Sequence, residues 1–268
     1  MKQSIQTSEF WDSTAEQYAA GVESFTSRFC LDAVSLANIE HGMSVLDIAC
    51  GPGAVALAAA RAGAKVTAVD FSQAMVDILR ARAGDRAIEA LQMDGQALDF
   101  PDKRFDRVIS NFGIPLFPDW RAGLAEAARV LKPGGVLSLG VGGNPYGFGP
   151  NQLFSQARLA LWPEEQIATG MDGMAALCEP EGITRELESA GLRDVVLHER
   201  THDIVLPANI LSDGSPLIVS NPLTADLDAE RRTAVLAKAN ELSAKWRDGE
   251  DIRMPSLGYI AVAKKGAA

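Results

Sequence analysis

Short apolar runs alternate with helix-forming stretches along this chain, and the pattern is clearest between residues 45 and 70. Val45-Leu46-Asp47-Ile48 is a buried-type run carrying one acid, and Ala49-Cys50-Gly51-Pro52-Gly53 breaks it into a glycine turn. The small-residue stretch Ala54 to Ala62 then predicts a helix, and Lys65 to Val69 predicts a second strand ending at Asp70. Upstream, residues 8 to 40 read as helices with an aromatic stripe of Phe10, Trp11, Tyr18, Phe25 and Phe29. Downstream, Lys132-Pro133-Gly134-Gly135 predicts a helix stop and turn ahead of a strand from Val136 to Gly142. Ile183 to Ala190 predicts a helix closed by Gly191, Asp194 to Leu206 is strand-rich with a polar centre, and Pro207 to Asp226 is turn-rich. Leu227 to Trp246 predicts an amphipathic charged helix, and Ser256 to Ala263 a last strand. Strands alternating with helices predict an α/β fold with a doubly wound, mostly parallel sheet.

A strand, a Gly-rich turn, a helix and a second strand ending in an acid about 20 residues on form the dinucleotide-type half of such a sheet, so the ligand should carry a ribose. Gly51-x-Gly53-x-x-Ala56 fits the pattern of nicotinamide sites, which keeps an NAD(P)-dependent oxidoreductase among the readings. A diphosphate wants bare backbone N–H groups and positive charge, whereas here Asp47 precedes the loop and Pro52 removes a donor from it. Both features suit a cationic ligand better.

With Asp47-Ile48-Ala49-Cys50-Gly51-Pro52-Gly53, Val69-Asp70-Phe71-Ser72 with Met75, Met93-Asp94-Gly95, Phe105 to Asn111 and Leu131 to Gly135 in this order, the chain resembles the class I S-adenosylmethionine-dependent methyltransferases. The nearest group is the small-molecule one that includes the ubiquinone/menaquinone C-methyltransferases. The resemblance implies a Rossmann-like seven-stranded sheet, mostly parallel with an antiparallel last strand. It implies S-adenosyl-L-methionine as cofactor, with Asp47, Ala49, Gly51 and Gly53 around its methionine part and Asp70 on the ribose hydroxyls. Phe71 and Met75 would flank the adenine, Asp94 and Gly95 would meet its amine, and Ser110 and Asn111 would lie beneath the sulfonium. One departure is Ala49, which stands where the family has its first loop glycine. A φ below zero there would make the alanine cheap. Asp106 is expected to be structural, a strand-start residue.

The same resemblance makes residues 1–40 a helical lid and 41–268 the methyltransferase domain. A cap is expected at about 144–180, with Phe154, Trp162, Met171 and Met174, and an insertion at about 207–253. Trp11 and Tyr18 match the aromatic-then-tyrosine spacing of the family's lid. Methyl transfer from a sulfonium disperses charge, so alignment and water exclusion supply most of the effect and a general base serves only an acceptor that must lose a proton. His202 and His198 share parity on one extended segment and are the candidate bases, with Tyr18 as a third catalytic candidate. Asp119 reads as a helix cap before Trp120. The expected partner is a small, moderately apolar methyl acceptor with an O, N or C nucleophile, and a cofactor-binding protein that does not methylate is the alternative.

A net charge of -10 without clustered Lys and Arg argues against a nucleic-acid partner. Cys30, Cys50 and Cys178 are odd in number and lack metal-type spacing, so neither a disulfide framework nor a metal site is expected. With no 18-residue apolar run and a polar start, the expected place is the cytoplasm, away from membranes.

Overall fold

In the computed structural model, which describes residues 4–147, 149–165, 167, 171–207, 211, 223, 224 and 227–267, the chain enters through two helices. These are α1 (Ser8–Gln17) and α2 (Glu23–Leu36), joined by a π-helical turn, Tyr18–Val22. The doubly wound half follows as β1 (Ser44–Ile48), α3 (Ala54–Arg61), β2 (Lys65–Asp70), α4 (Gln73–Ala83) and β3 (Ile88–Gln92). It continues with β4 (Phe105–Asn111), a 3-10 turn at Ile114–Leu116, α5 (Trp120–Val130) and β5 (Leu131–Gly142). Helices α6 (Pro150–Leu161), α7 (Asp172–Ala176) and α8 (Pro180–Ser189) precede β6 (Leu192–Pro207). The chain closes with α9 (Ala229–Ser243), the two-residue β7 (Arg247–Asp248) and β8 (Asp251–Lys265).

The sheet runs β3-β2-β1-β4-β5-β8-β6, with β7 added on β8 to make eight strands. Strands β1 to β5 pair in parallel, and β8 lies antiparallel between β5 and β6, as expected for the last strand. Chain order reverses between β1 and β4, which creates the crevice where open α/β sheets hold ligands. Alternation along each strand then builds two cores. Val45, Val66, Ala68 and Ile109 pack beneath α2, α3 and α4, while Leu46, Ile48, Val108 and Leu139 pack against α5 and α8.

Two boundaries move. The lid does not reach residue 40, because α2 belongs to the first core: Phe29, Ala33 and Ala37 are fully buried and Gly258 of β8 leaves space for the Phe29 ring. Lys132 to Gly135 do not stop ahead of the strand either. They lie inside β5 as an irregularity, with Phe105 opposite Leu131 and Arg107 opposite Val136. The turn-rich stretch expected at 207–226 lies largely outside the described residues, as does Phe148 of the cap loop. Among the described residues no helix is long and apolar enough to cross a membrane.

Asp106 serves the sheet, as expected. Its Oδ2 accepts from the Ser44 N–H at 2.9 Å and the Ser44 hydroxyl at 2.7 Å, and its Oδ1 from Lys132 Nζ at 2.8 Å. Partial burial opposes the charge, but these donors outweigh it and lower the carboxyl to about 2. A carboxyl held below its unfolded value of about 3.9 adds stability above that pH and loses it on acidification. Asp106→Asn should therefore cost about 1–2 kcal/mol in urea denaturation at pH 7. The gap to the native protein should close between about pH 4 and pH 2.

Candidate active site

At the carboxyl end of β1 the side chain of Asp47 points into the helix layer and is 1% exposed. The backbone N–H of Ala56, in the first turn of α3, donates to it, yet its Oδ2 has no hydrogen-bond partner among the described residues. Burial first, and the charge of Asp70 second, push its carboxyl up to about 8, with the Ala56 bond opposing. Across the crevice Asn111 ends β4, its Nδ2 3.1 Å from Cys30 Sγ and its Oδ1 likewise unpaired. Asn111 Oδ1 lies against Gly140 of β5, so the orphaned acceptor at the cavity is Asp47 Oδ2, and a buried acid left so calls for a donor-bearing, positively charged ligand group.

The glycine loop turns around a second acid. Asp70 Oδ2 accepts from the Gly51 N–H and Oδ1 from the Ser72 N–H, each at 2.9 Å. Burial raises its carboxyl to about 6 against the pull of those two bonds. Gly53 has φ 101° at the start of α3, and Leu79 fills the place a Cβ would take, so only glycine fits. Ala49 overturns an expectation: its φ is 57°, in the left-handed region that costs an L-residue about 1–2 kcal/mol. Gly113 tolerates it by having no Cβ, which would overlap that of Ala49.

The remaining wall comes from the N-terminal helices. Tyr18, Glu23, Thr26 and Cys30 line the cavity together with Asp47, Ala49, Gly51 and Asn111, leaving about 40 Å³ of water-accessible space. The π-helical turn, a form frequent at functional sites, places Tyr18 there, its hydroxyl 3.3 Å from Thr26 Oγ1. Glu23 lies within 2.6–2.8 Å of Arg82 Nη1, which also donates to the Pro52 carbonyl, so the wall is latched to the glycine loop. Asp12 of α1 accepts from the Ser72 hydroxyl at 2.6 Å and the Ala74 N–H at 3.1 Å, clamping the segment on α4.

Sequence reasoning missed Glu23, Thr26 and Cys30. Their signal was polar residues spaced three and four apart beside Phe25 and Phe29, one helix face in itself. The other expected residues sit around the cavity rather than in its lining. Met75 is 2% exposed and part of the α4 core, while Phe71 is half-buried on the β2–α4 turn. Asp94 is exposed and accepts from Gln96, and Gly95 is packed under Phe117 and Ile48. Ser110 is buried, its hydroxyl accepting from the Ile114 N–H at 3.4 Å. His202 Nε2 lies 2.7 Å from Asp32 Oδ2 of α2, and its ring meets Phe29 edge to face at 4.6 Å. His198 sits opposite Ile260, in the same sheet row as Gly140 and Asn111. Asp119 caps α5 through the Ala122 N–H. Among the described residues no group of His, Cys, Asp and Glu could hold a metal ion.

Comparison with known proteins agrees with this geometry. Residues 45–135 match the family model described as a methyltransferase domain. The chain is 33% identical over 166 residues to an uncharacterised protein of Mycobacterium tuberculosis, a match covering 56% of this chain and 60% of that protein's length. It is 34% identical over 178 residues to the demethylmenaquinone methyltransferase of Corynebacterium glutamicum, covering 63% of this chain and 75% of the relative. Among solved structures, the Haemonchus contortus phosphoethanolamine N-methyltransferase 2, crystallised with phosphomonomethylethanolamine and S-adenosylhomocysteine, superposes with a TM-score of 0.59 at 17% identity, covering 99% of this chain and 60% of that one.

Two substitutions should stabilise the ligand-free protein for different reasons. Ala49→Gly relieves the left-handed backbone and should gain about 1 kcal/mol in chemical denaturation, whatever the pH. Asp47→Asn removes a carboxyl whose folded value exceeds its unfolded one, a group that weakens the fold progressively as pH rises from about 4 to about 8. Its gain, on the order of 1–3 kcal/mol at pH 8.5, should vanish near pH 4.

Proposed function

We propose a catalytic role from one premise: the chain belongs to the class I S-adenosylmethionine-dependent methyltransferases. It transfers the methyl group of S-adenosyl-L-methionine to an O, N or C nucleophile of a small, moderately apolar molecule by in-line displacement. The observation that carries this reading is Asp47, a buried acid with an unpaired oxygen that its surroundings keep protonated in the absence of a cation. An ammonium meets that need, whereas a diphosphate would add a second negative charge.

When bound, the cofactor supplies an electrophilic methyl on a sulfonium. The chain's own residues bind, orient and cover. Asp47 holds the ammonium, and Asp70, already fixed by two backbone N–H groups, offers its remaining lone pairs to the ribose. Gly51 and Gly53 let the loop backbone approach closely. Phe71, backed by Met75, and Asp94 with Gly95 take the adenine end, while Ala49, Ser110 and Asn111 line the methyl-transfer end. Tyr18 and Glu23 exclude water once the cover is shut.

The acceptor side follows from the same face. Phe25, Phe29, Phe112, Leu153 and Phe154 of α6 belong to one apolar cluster beside the cavity, which supports an apolar acceptor. The name of the Corynebacterium relative, a demethylmenaquinone methyltransferase, points the same way. For an acceptor that must lose a proton, His202 is the base: Asp32 fixes its Nε2 tautomer and leaves Nδ1 as acceptor. His198 lacks such a carboxylate among the described residues and ranks second.

Calorimetry should give micromolar binding of S-adenosylmethionine and S-adenosylhomocysteine and none of NAD or NADP. At pH 6.5, paired buffers should show release of close to one proton per ligand bound, since Asp47 starts protonated. Asp47→Asn should lose at least tenfold in affinity, about 1.4 kcal/mol, together with the proton release. NAD binding as tightly would sink the reading. Labelled methyl that reaches no component of a metabolite extract, with cofactor binding intact, would leave the non-methylating alternative.

A further inference from the structure

We propose that Arg82 is a specificity-determining residue for the adenosyl ligand: its guanidinium receives the carboxylate of the ligand's amino-acid end, and the protein discriminates against ligands without that group. This rests on the S-adenosylmethionine reading for the identity of the ligand, and it assigns the one charged group that Asp47 cannot serve.

Charge balance poses the problem. An amino-acid end carries an ammonium and a carboxylate on the same carbon, so a site that pairs the first must also accept the second close by. Among the described residues the cavity lining holds two acids, Asp47 and Glu23, and neither lysine nor arginine. Asp70, buried behind the glycine loop, adds a third acid to the neighbourhood. With these groups alone the ligand's carboxylate would meet repulsion.

Arg82 brings the opposite charge from just outside the lining. It stands in the last turn of α4, and its Nη1 lies 2.8 and 2.6 Å from the two Glu23 oxygens and 3.1 Å from the Pro52 carbonyl. Both partners line the cavity, one from α2 and one from the glycine loop. The guanidinium is thus held from two sides by a single nitrogen. Its Nε and Nη2 make no hydrogen bond to protein among the described residues. Parallel N–H groups on these two nitrogens form the fork that takes a carboxylate in bidentate fashion.

Other arginines of the same domain show the contrast. Arg80, in the same turn of α4, places Nε and Nη2 on the Ala90 carbonyl and Nη1 on Asp77. Arg129 commits all three nitrogens to Glu126, Asp102 and backbone carbonyls. Their forks are used by the fold, and that of Arg82 is not. With 34% of the Arg82 side chain exposed against 13% of Glu23, the pair is open on the arginine's side. Glu23 in this arrangement is a positioning residue: it holds Arg82, and Arg82 cancels the charge that would repel the carboxylate.

Calorimetry on the full chain tests this with two ligands, S-adenosylhomocysteine and its decarboxylated analogue, which keeps the adenosine, the thioether and the amine. The native protein should prefer the intact ligand at least tenfold. Arg82→Gln should cut the preference below threefold and bind the decarboxylated ligand no more weakly than the native protein does. Glu23→Gln, which removes the neighbouring acid and leaves the guanidinium an amide oxygen to hold it, should keep the preference. Glu23→Gln combined with Arg82→Gln should lose it, which separates a lost carboxylate contact from exposed repulsion by Glu23. Should Arg82→Gln fail to fold, Arg82→Lys, with the charge but without the fork, decides in its place by lowering the preference at least threefold. A tenfold preference that survives the loss of Arg82 overturns the proposal, as does equal weakening of both ligands in Arg82→Gln or equal binding of both by the native protein. If S-adenosylhomocysteine does not bind the native protein at all, the cofactor reading itself falls, an outcome distinct from binding without preference.

Discussion

One buried carboxylate sets the terms for this molecule. Asp47 lies at the carboxyl end of the central parallel strand β1, where both faces of the sheet are covered and its side chain is almost fully buried. A charge there is expensive, and among the described residues the fold answers it with one backbone N–H at the start of α3 and no cation. Asp70, buried nearby and raised in the same direction, deepens the negative potential of the crevice. The neighbourhood is therefore poised for a positively charged partner and hostile to a diphosphate.

The N-terminal helices serve that acid in two ways. Helix α2 is structural on its sheet-facing side, where Phe29 and Ala33 complete the core, and polar toward the crevice, where Glu23, Thr26 and Cys30 line the cavity. The stretch before Glu23 is held on α4 at Asp12, by Ser72 and Ala74. A few hydrogen bonds to partly exposed groups can open at modest cost, whereas lifting Phe29 would tear the core. The core-packed helix α2 thus begins where the π-helical turn ends, and Tyr18 opens that turn.

Two of the residues with left-handed backbone lie beside the same acid. Ala49 and Phe112, on the two strands that flank the reversal of the sheet, both hold left-handed backbone without being glycine. Each has a steric reason: Gly113 yields space to Ala49, and the turn at Phe112 carries a ring across to the α2 side. Surroundings packed as tightly as these over-determine the local conformation, which is how such strain persists.

Much of this was legible in the residues themselves. Apolar runs ended by Asp47 and Asp70, with glycines between, encode the doubly wound half, because strand burial and turn chemistry are local properties. The order of motifs carried the family and its cofactor for the same reason. Asp106 and Asp119 could be set aside as structural from their places beside strand and helix starts. Other features had no local signature. That Glu23, Thr26 and Cys30 face Asp47 depends on how α2 lies across the sheet, and that Phe29 is core rather than lid depends on Gly258, far away in the chain. The sign of φ at Ala49 and Phe112 belongs to the turns that leave the paired parallel strands β1 and β4. The pairing of His202 with Asp32 joins residues 170 positions apart. Short-range periodicity decides what a segment becomes, but which side chains share a crevice, and at what cost in strain and charge, is decided only when distant segments are packed together.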